Sequence, residues 1–281
     1  MGREENVAVF EDTMKLCKEN EKVKAALRES VAGQRLVCEW EEIPAVKKDI
    51  YSQPCKVVVS KKRTYEAASA YRDNQVCVLN FASASNPGGG VARGANAQEE
   101  CLCRCSDLYA CLNTVEMWNG FYQPHRNEAN PLHNDDIIYT PGVLVMKSDT
   151  AMPKLLSEKD WYRVNVVTCA APNLRQRPSN QYNSGDGDKA AKITDKELLA
   201  LHEKRLRRIL DVAVQEGNEV VVLGAFGCGA FANSPEVVAR ASKNVIQEYR
   251  NAFRTIEFAV YCSPMDDTNY KVFERVLRGI L

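Results

Sequence analysis

Residues 80–105 of the chain read "NFASASNPGGGVARGANAQEECLCRC". An apolar run leads into this stretch, three consecutive glycines stand in its middle, and a helical pattern follows them. Glycine loses more backbone entropy on folding than any other residue, so a triplet is unfavourable unless the bare backbone is needed. The stretch therefore predicts a buried strand, a glycine-rich turn with a specific purpose, and a helix.

Strand and helix patterns alternate from about residue 55 to the C-terminus. The run "CKVVVS" is followed by "TYEAASAYR", "VCVLNFA", a predicted helix over 97–113, and later a long amphipathic helix over 194–216. Such alternation is typical of βαβ units, so we predict an α/β fold with a largely parallel sheet. Residues 136–148 are interpreted as two strands joined by a turn at Pro141-Gly142, and residues 119–136 as a loop.

The first 54 residues have a different pattern. Apolar residues recur at helical spacing among many charges over residues 4–30, and an irregular connection follows that ends near Pro44. We therefore expect an N-terminal helical extension over residues 1–54 and a single larger domain over residues 55–281.

Composition excludes several classes of function. The 281 residues include 37 basic and 37 acidic side chains, so no net field attracts nucleic acid or an anionic membrane, and sequence-specific nucleic-acid binding is not expected. No apolar run approaches the roughly 20 residues of a membrane span, and the N-terminal sequence lacks a signal-peptide pattern. A cytoplasmic location and no membrane partner are expected.

Eleven cysteines are present, many of them inside apolar runs, where cysteine behaves as a small hydrophobic residue. We expect reduced thiols. The cluster "CLCRC" raises the alternative of a zinc site, but the three histidines are scattered and no second ligand pair has suitable spacing. On one helix, Cys101, Cys105, Leu108 and Leu112 would form a single apolar stripe, so we predict that the cluster packs in the core and that no metal is bound.

A second glycine-rich stretch, "LGAFGCGAFAN" at residues 223–233, lies between a buried strand and a helix that Ser234-Pro235 can begin. Backbone N–H groups in such a turn, near a helix N-terminus, can bind phosphate oxygens, although a merely tight turn has the same sequence character. The glycine spacing does not fit the dinucleotide fingerprint, and the Lys-Ser/Thr of a P-loop is missing. A nucleotide-dependent oxidoreductase is therefore disfavoured.

The first turn adds acidic groups. Its strand should end beside the strand of the second turn, at the edge where α/β sheets bind ligands. Glu99 and Glu100 follow Gln98 in the first turn of the next helix, where negative charge faces the positive end of the helix dipole. Ordinary charge capping would explain a single glutamate at this position, but the glycine triplet, the paired glutamates and the second turn together favour a catalytic site.

The combination of "GGG", seven residues and "QEE" resembles the signature of the poly(ADP-ribose) glycohydrolases, and the surrounding motifs resemble their bacterial type. The similarity extends through "VVTCAAPN" and "LGAFGCGAFAN", covering about residues 55–281. It implies a macrodomain-like three-layer α/β/α fold with a central mixed sheet and an ADP-ribose cleft. It also implies hydrolysis of the ribose–ribose O-glycosidic bond of poly(ADP-ribose), releasing ADP-ribose, with no metal or other cofactor.

The same resemblance assigns roles to residues. Glu100 would be the catalytic acid, Glu99 would hold the hydroxyls of the ribose being cut, and Phe231 would pack on the distal ribose. The diphosphate loop would be "GCGAF". The further substrate-binding residues implied are Asn80, Asn86, Gly88, Gly89, Gly90, Gln98, Gly227, Cys228, Gly229 and Ala230. The animal branch carries Asp at the position of Asn80.

Glycoside hydrolysis usually employs two separated carboxyl groups, whereas these two are sequence neighbours. One glutamate could serve both steps, first as acid and then as base. Glu100 would then start protonated, favoured by the charges of Glu99 and of the bound diphosphate. Two alternatives stay open at this point: a hydrolase of mono-ADP-ribosylated proteins and a non-catalytic ADP-ribose reader. The partner is accordingly poly(ADP-ribose) or an ADP-ribosylated protein.

Overall fold

A computed structural model describes residues 2–180 and 184–280 of the chain. Its centre is a mixed sheet in the order β1-β4-β5-β3-β6-β7-β2. The five strands from β5 to β2 in this order are mutually parallel, and β4 is antiparallel to both β1 and β5. The strands are β1 Arg35–Val37, β2 Lys56–Ser60, β3 Val76–Phe81, β4 Ile137–Val145, β5 Tyr162–Cys169, β6 Val220–Leu223 and β7 Thr255–Ala259.

Helices connect the strands. Their bounds are α1 Arg3–Glu19, α2 Glu21–Ala32, α3 Thr64–Ala68, α4 Gln98–Cys105, α5 Leu108–Leu112, α6 Val115–Met117, α7 Gln123–Glu128, α8 Asp195–Gln215, α9 Pro235–Ile246 and α10 Thr268–Leu277. A π-helical turn, Trp118–Tyr122, joins α6 to α7. The Thr194 side chain caps α8 by accepting a hydrogen bond from the Glu197 amide, so the predicted long helix is confirmed almost to the residue.

Alternate residues of each strand pack on opposite faces of the sheet, as the period-2 geometry of strands requires. On β3, Cys77 and Leu79 lie in a core that includes α8, α9 and α10, whereas Val76 and Val78 lie in a core with α3, α4 and α5. Both faces of the central strands are therefore covered by helices. This is the predicted three-layer α/β/α arrangement with a central mixed sheet.

The N-terminal segment is attached closely to the rest of the molecule. The Asn6 side chain donates to the Gly94 carbonyl at 3.0 Å, and the Thr13 hydroxyl donates to the Arg104 carbonyl at 2.6 Å. The predicted helices are present as α1 and α2, but β1 also joins the sheet edge beside β4, which no sequence pattern predicted. Three residues are too few to show a strand period, and the division at residue 54 stays a prediction.

Three local expectations were wrong. The helix predicted over 97–113 is interrupted between α4 and α5, because the Asp107 carboxylate accepts the Leu144 amide at 2.9 Å and Ser106 pairs with Val145. The turn predicted at Pro141-Gly142 is an irregularity inside the continuous strand β4. The loop predicted over 119–136 contains α7, whose two short turns give no clear period.

Most of the cysteines are buried, as the sequence predicted, whereas Cys38, Cys228 and Cys262 are only partly buried. The stripe Cys101, Cys105, Leu108 and Leu112 is buried although it spans two helices, and all eleven cysteines are free. Among the described residues, no helix is long and apolar enough to cross a membrane.

Candidate active site

The two glycine-rich turns lie side by side. Because β3 and β6 are neighbouring parallel strands, the turns that follow them emerge at the same edge of the sheet. The rings of Phe81 and Phe226 connect the turns, with centroids 5.6 Å apart. A Cβ atom on Gly224 would lie 2.8 Å from the Ala259 carbonyl oxygen and 2.9 Å from the Phe81 ring, so the start of the second turn requires glycine.

The glycine triplet is explained by the carboxyl groups beneath it. Gly88 and Gly89 have φ angles of +63° and +57°, in the left-handed region that favours glycine. A Cβ atom on Gly89 would lie 2.6 Å from Oε1 of Glu100 and 3.3 Å from Oε2 of Glu99. The bare backbone is therefore needed because both carboxyl groups approach the same point of the chain.

Glu99 is buried, with 3% of its surface exposed. Its Oε1 accepts from the Asn80 amide at 3.2 Å, and its Oε2 accepts from the Ser83 backbone N–H at 2.7 Å. Burial first, and then the charge of Glu100, raise the pKa of Glu99 to about 8, although these hydrogen bonds oppose the rise. The buried pair therefore retains a proton up to a higher pH than a free carboxyl group does.

Both oxygens of Glu100 accept backbone N–H groups. Oε1 accepts from Gly90 at 2.9 Å, and Oε2 accepts from Ala97 at 2.9 Å. The second contact caps the start of α4 in the manner of a residue three positions into a helix. Glu100 therefore links the glycine turn to the N-terminus of α4, the helix on which it lies. The residue is buried, with 7% of its surface exposed.

Gln98 fixes α4 to the sheet. Its Oε1 accepts from the Phe81 backbone N–H at 2.9 Å, and its Nε2 donates to the Leu79 carbonyl at 2.8 Å and to the Thr64 hydroxyl at 3.0 Å. These hydrogen bonds set the position of the two glutamates that follow. A substrate contact of Gln98 stays a prediction.

Asn80 forms a hydrogen bond with Glu99. It is fully buried, and its amide donates to Glu99 and to the Thr168 hydroxyl, both at 3.2 Å. Its Oδ1 has no hydrogen-bond partner among the described residues. An amide can donate to Glu99, which a carboxylate cannot do, so asparagine suits this position whether or not it also contacts a ribose.

Asn86 lies in the first turn and contacts Arg126, a residue that no sequence motif singles out. The Arg126 guanidinium donates to Oδ1 of Asn86 and, through Nε, to the Ser85 carbonyl at 2.7 Å. Arg126 belongs to α7, inside the segment that was interpreted as a loop. Nothing in the local sequence indicated that this arginine would support the glycine turn.

The second turn presents free amides. Gly227 has φ of +79°, and a Cβ atom there would lie 2.7 Å from both the Ala171 side chain and the Asn233 amide nitrogen. Within the part of the chain that the structure describes, the backbone N–H groups of Gly229, Ala230 and Phe231 make no hydrogen bond. The N-terminus of α9 follows directly, and such groups together favour an anionic ligand.

Phe231 lies between two environments. Its ring centroid is 5.8 Å from that of His133, and the side chain packs partly against the core beneath the turn. The residue is half-buried. Cys228 is also partly buried against the same core.

Metal ligands are not grouped in this region. Over residues 2–180 and 184–280, no set of three or more His, Cys, Asp or Glu side chains is arranged to hold a metal ion. The cysteines nearest to the glutamates, Cys101 and Cys103, are buried thiols whose pKa values are raised by burial.

The chain is similar in sequence and in structure to proteins of one known family. The model of the microbial-type poly(ADP-ribose) glycohydrolase catalytic domain matches residues 4–148. The crystal structure of poly(ADP-ribose) glycohydrolase from Thermomonospora curvata is 30% identical, covers 96% of this chain and 98% of its own, and superposes with a TM-score of 0.82. The Deinococcus radiodurans enzyme in complex with ADP-ribose is 30% identical, with coverages of 90% and 97% and a TM-score of 0.75. A comparison with curated proteins gave no match.

Proposed function

The chain belongs to the microbial-type poly(ADP-ribose) glycohydrolase family, and we propose that it hydrolyses the ribose–ribose O-glycosidic bond of poly(ADP-ribose), releasing ADP-ribose. It is a glycohydrolase with a macrodomain-like fold. The observation that carries the proposal is the pair of buried glutamates against the bare backbone of Gly89, beside a turn with free amides.

Glu100 is the proposed general acid and base. Buried carboxyl groups that interact strongly titrate as a pair, so the proton retained by Glu99 near neutral pH belongs to the pair rather than to one residue. A substrate that brings two phosphate charges favours retention of that proton. Glu100 protonates the departing ribose oxygen, and as a carboxylate it then takes a proton from the water that attacks the sugar.

Glu99 positions the ribose. Its carboxyl group is held by Asn80 and Ser83, and with the proton of the pair on Glu100, the Glu99 carboxylate can accept hydrogen bonds from the sugar hydroxyls. The free amides at Gly229, Ala230 and Phe231 bind the diphosphate. The bound diphosphate stabilises the positive charge that develops on the sugar, so a second separated carboxylate is not required.

The partner is poly(ADP-ribose) or an ADP-ribosylated protein, because the site recognises the ADP-ribose unit that both share. A cytoplasmic location is supported by the eleven free cysteines, since reducing compartments keep thiols unpaired.

Glu100→Gln tests the proposal. The variant loses the titratable proton and one of two acceptor oxygens, so turnover of poly(ADP-ribose) should fall roughly 10²- to 10⁴-fold while ADP-ribose binding stays within several-fold. Release of ADP-ribose in a single turnover and calorimetric binding measure the two effects.

Glu197→Gln is the matched control, because Glu197 caps α8 through the Thr194 amide at 2.8 Å and lies at the start of a different helix. Its turnover should equal that of the parent. Parental cleavage by Glu100→Gln would place the acid elsewhere. A parent that binds ADP-ribose but cleaves neither polymer nor mono-modified peptides would be a reader, and one that cleaves only the peptides would be the alternative hydrolase.

A further inference from the structure

Asn233, at the end of the second glycine-rich turn, forms several side-chain hydrogen bonds. It is buried, with 2% of its surface exposed. Its amide nitrogen lies 2.7 Å from the Pro172 carbonyl, 3.1 Å from that of Gly227 and 3.3 Å from that of Phe231. One side chain therefore closes the turn on itself and joins it to the chain that leaves β5.

His202 contacts the other end of this amide. It lies on α8 with 3% of its surface exposed, and its Nε2 is 2.8 Å from Oδ1 of Asn233. Three carbonyl oxygens surround the amide nitrogen, so this end must be the donor and Oδ1 must be the acceptor. The orientation of the amide in turn requires a proton on Nε2 of His202.

The imidazole is neutral under ordinary conditions. Burial, with a smaller contribution from the charge of Arg205, lowers the pKa of His202 to about 4, although the hydrogen bond to Asn233 opposes this. A neutral ring has a single N–H, and here that N–H is committed to Asn233. A proton relay through this ring is therefore not part of its role.

We propose that His202 is a positioning residue for the diphosphate loop, acting through Asn233 on the backbone of Gly227 and Phe231. The inference rests on the proposed function, in which the amides at 229–231 bind the diphosphate. By donating to Oδ1, His202 holds the Asn233 side chain in the position where its amide nitrogen binds the Gly227 and Phe231 carbonyls. These contacts fix the path of the turn between the two carbonyls, and with it the amides at 229–231.

A leucine in place of His202 fills similar space but leaves Oδ1 of Asn233 without its donor. This oxygen is then buried without a partner, so the Asn233 side chain shifts and its hydrogen bonds to the carbonyls of the turn weaken. Small displacements of binding groups are expensive in ordered sites. The loss should appear mainly in binding, because the diphosphate is held in both the ground state and the transition state.

Three variants test the inference. His202→Leu should weaken ADP-ribose binding at least roughly tenfold, the equivalent of one hydrogen bond to a buried group. His202→Gln keeps an N–H at the position of Nε2 and should stay within roughly threefold of the parent on the same reasoning. Asn233→Asp is isosteric but places a carboxylate oxygen against three carbonyls, so it should weaken binding at least as much as His202→Leu.

Asn218→Ala is the matched control. Asn218 is also a buried asparagine that bridges segments, accepting from Asn165 at 2.7 Å and donating to the Ala213 carbonyl at 2.9 Å, and it lies before β6 at the opposite edge of the sheet. Its removal should lower the melting temperature without changing ADP-ribose affinity.

Calorimetry with ADP-ribose, KM and kcat on poly(ADP-ribose), and thermal unfolding are measured for all four variants. We expect a raised KM with a smaller change in kcat for His202→Leu, and rescue by His202→Gln. If His202→Leu and Asn233→Asp lower only the melting temperature, as Asn218→Ala does, His202 is merely structural and the inference is overturned. If His202→Leu does not fold, His202→Gln decides: it keeps the N–H, so a loss of ADP-ribose affinity well beyond roughly threefold in a folded His202→Gln protein would overturn the inference. A parent that fails to bind ADP-ribose would refute the proposed function instead.

Discussion

Replacing Gly89 by alanine would test the contact on which the site is built. At φ of +57°, an alanine carries the strain of the left-handed region, about 1 to 2 kcal/mol. Its methyl group would also lie 2.6 Å from Oε1 of Glu100. The carboxyl group would have to move by about 0.8 Å to reach an ordinary contact distance of 3.4 Å.

That displacement sets the expected loss of activity. A misplacement of about 1 Å can lower turnover roughly 10²-fold, so Gly89→Ala should cleave poly(ADP-ribose) about two orders of magnitude more slowly than the parent. Moving Glu100 also strains its hydrogen bonds to Gly90 and Ala97. Stability should therefore fall by somewhat more than the backbone strain alone.

Gly217→Ala separates these two effects. Gly217 has φ of +71°, but a Cβ atom there would meet nothing within 4 Å. This variant should lose about 1 to 2 kcal/mol of unfolding free energy and keep parental turnover. Denaturant unfolding and single-turnover release of ADP-ribose are measured for both variants. Equal turnover in Gly89→Ala and the parent would show that the carboxyl position is not what limits catalysis.

Three further outcomes are expected. The free energy of unfolding of the parent should fall as the pH rises from about 6.5 to 8, because the unfolded chain has released the Glu99 proton near pH 4.5 whereas the folded chain keeps it until about pH 8. Below about pH 6.5 the lowered pKa values of His125 and His202 act in the opposite sense, since the unfolded chain binds protons there that the folded chain does not. Glu99→Gln should flatten the slope above about pH 6.5 in denaturant unfolding, leaving the contribution of Asp107, whose pKa is raised to about 7, and an unchanged slope would contradict the raised pKa of Glu99. Phe231→Ala should slow cleavage much more than it lowers the melting temperature, since the half-buried ring is proposed to pack on the distal ribose; parallel losses of folded protein and activity would instead indicate a loop anchor. Turnover should survive exhaustive treatment with EDTA, and a loss restored by a divalent ion would disprove a metal-free mechanism.

The sequence predicted features that depend on local pattern. The strand, glycine turn and helix around Glu99 and Glu100 follow from an apolar run, a triplet and a helix start, and the cap at Thr194 marks the beginning of α8. The neighbouring positions of the two turns follow from the rule that parallel strands end at one edge.

Features set by distant residues were not accessible in this way. The protonation of Glu99 depends on burial and on N–H groups that only the folded chain brings together. Arg126 and His202 support the turns from helices far away in sequence, and the bulge at Pro141-Gly142 depends on pairing with β5. A pattern read along the chain carries no information on such partners.

The attachment of α1 has a consequence for the order of events during synthesis. Asn6 and its partner Gly94 are 88 positions apart, and Thr13 and its partner Arg104 are 91 apart. At typical translation rates of about 5 to 20 residues per second, α1 waits roughly 4 to 18 s on the ribosome before its partners emerge. Phe10, which is buried against Tyr109 in the finished protein, is exposed throughout this interval. We therefore expect the chain to be most prone to associate with chaperones or with other chains during the period in which α1 has emerged from the ribosome and its partner residues have not.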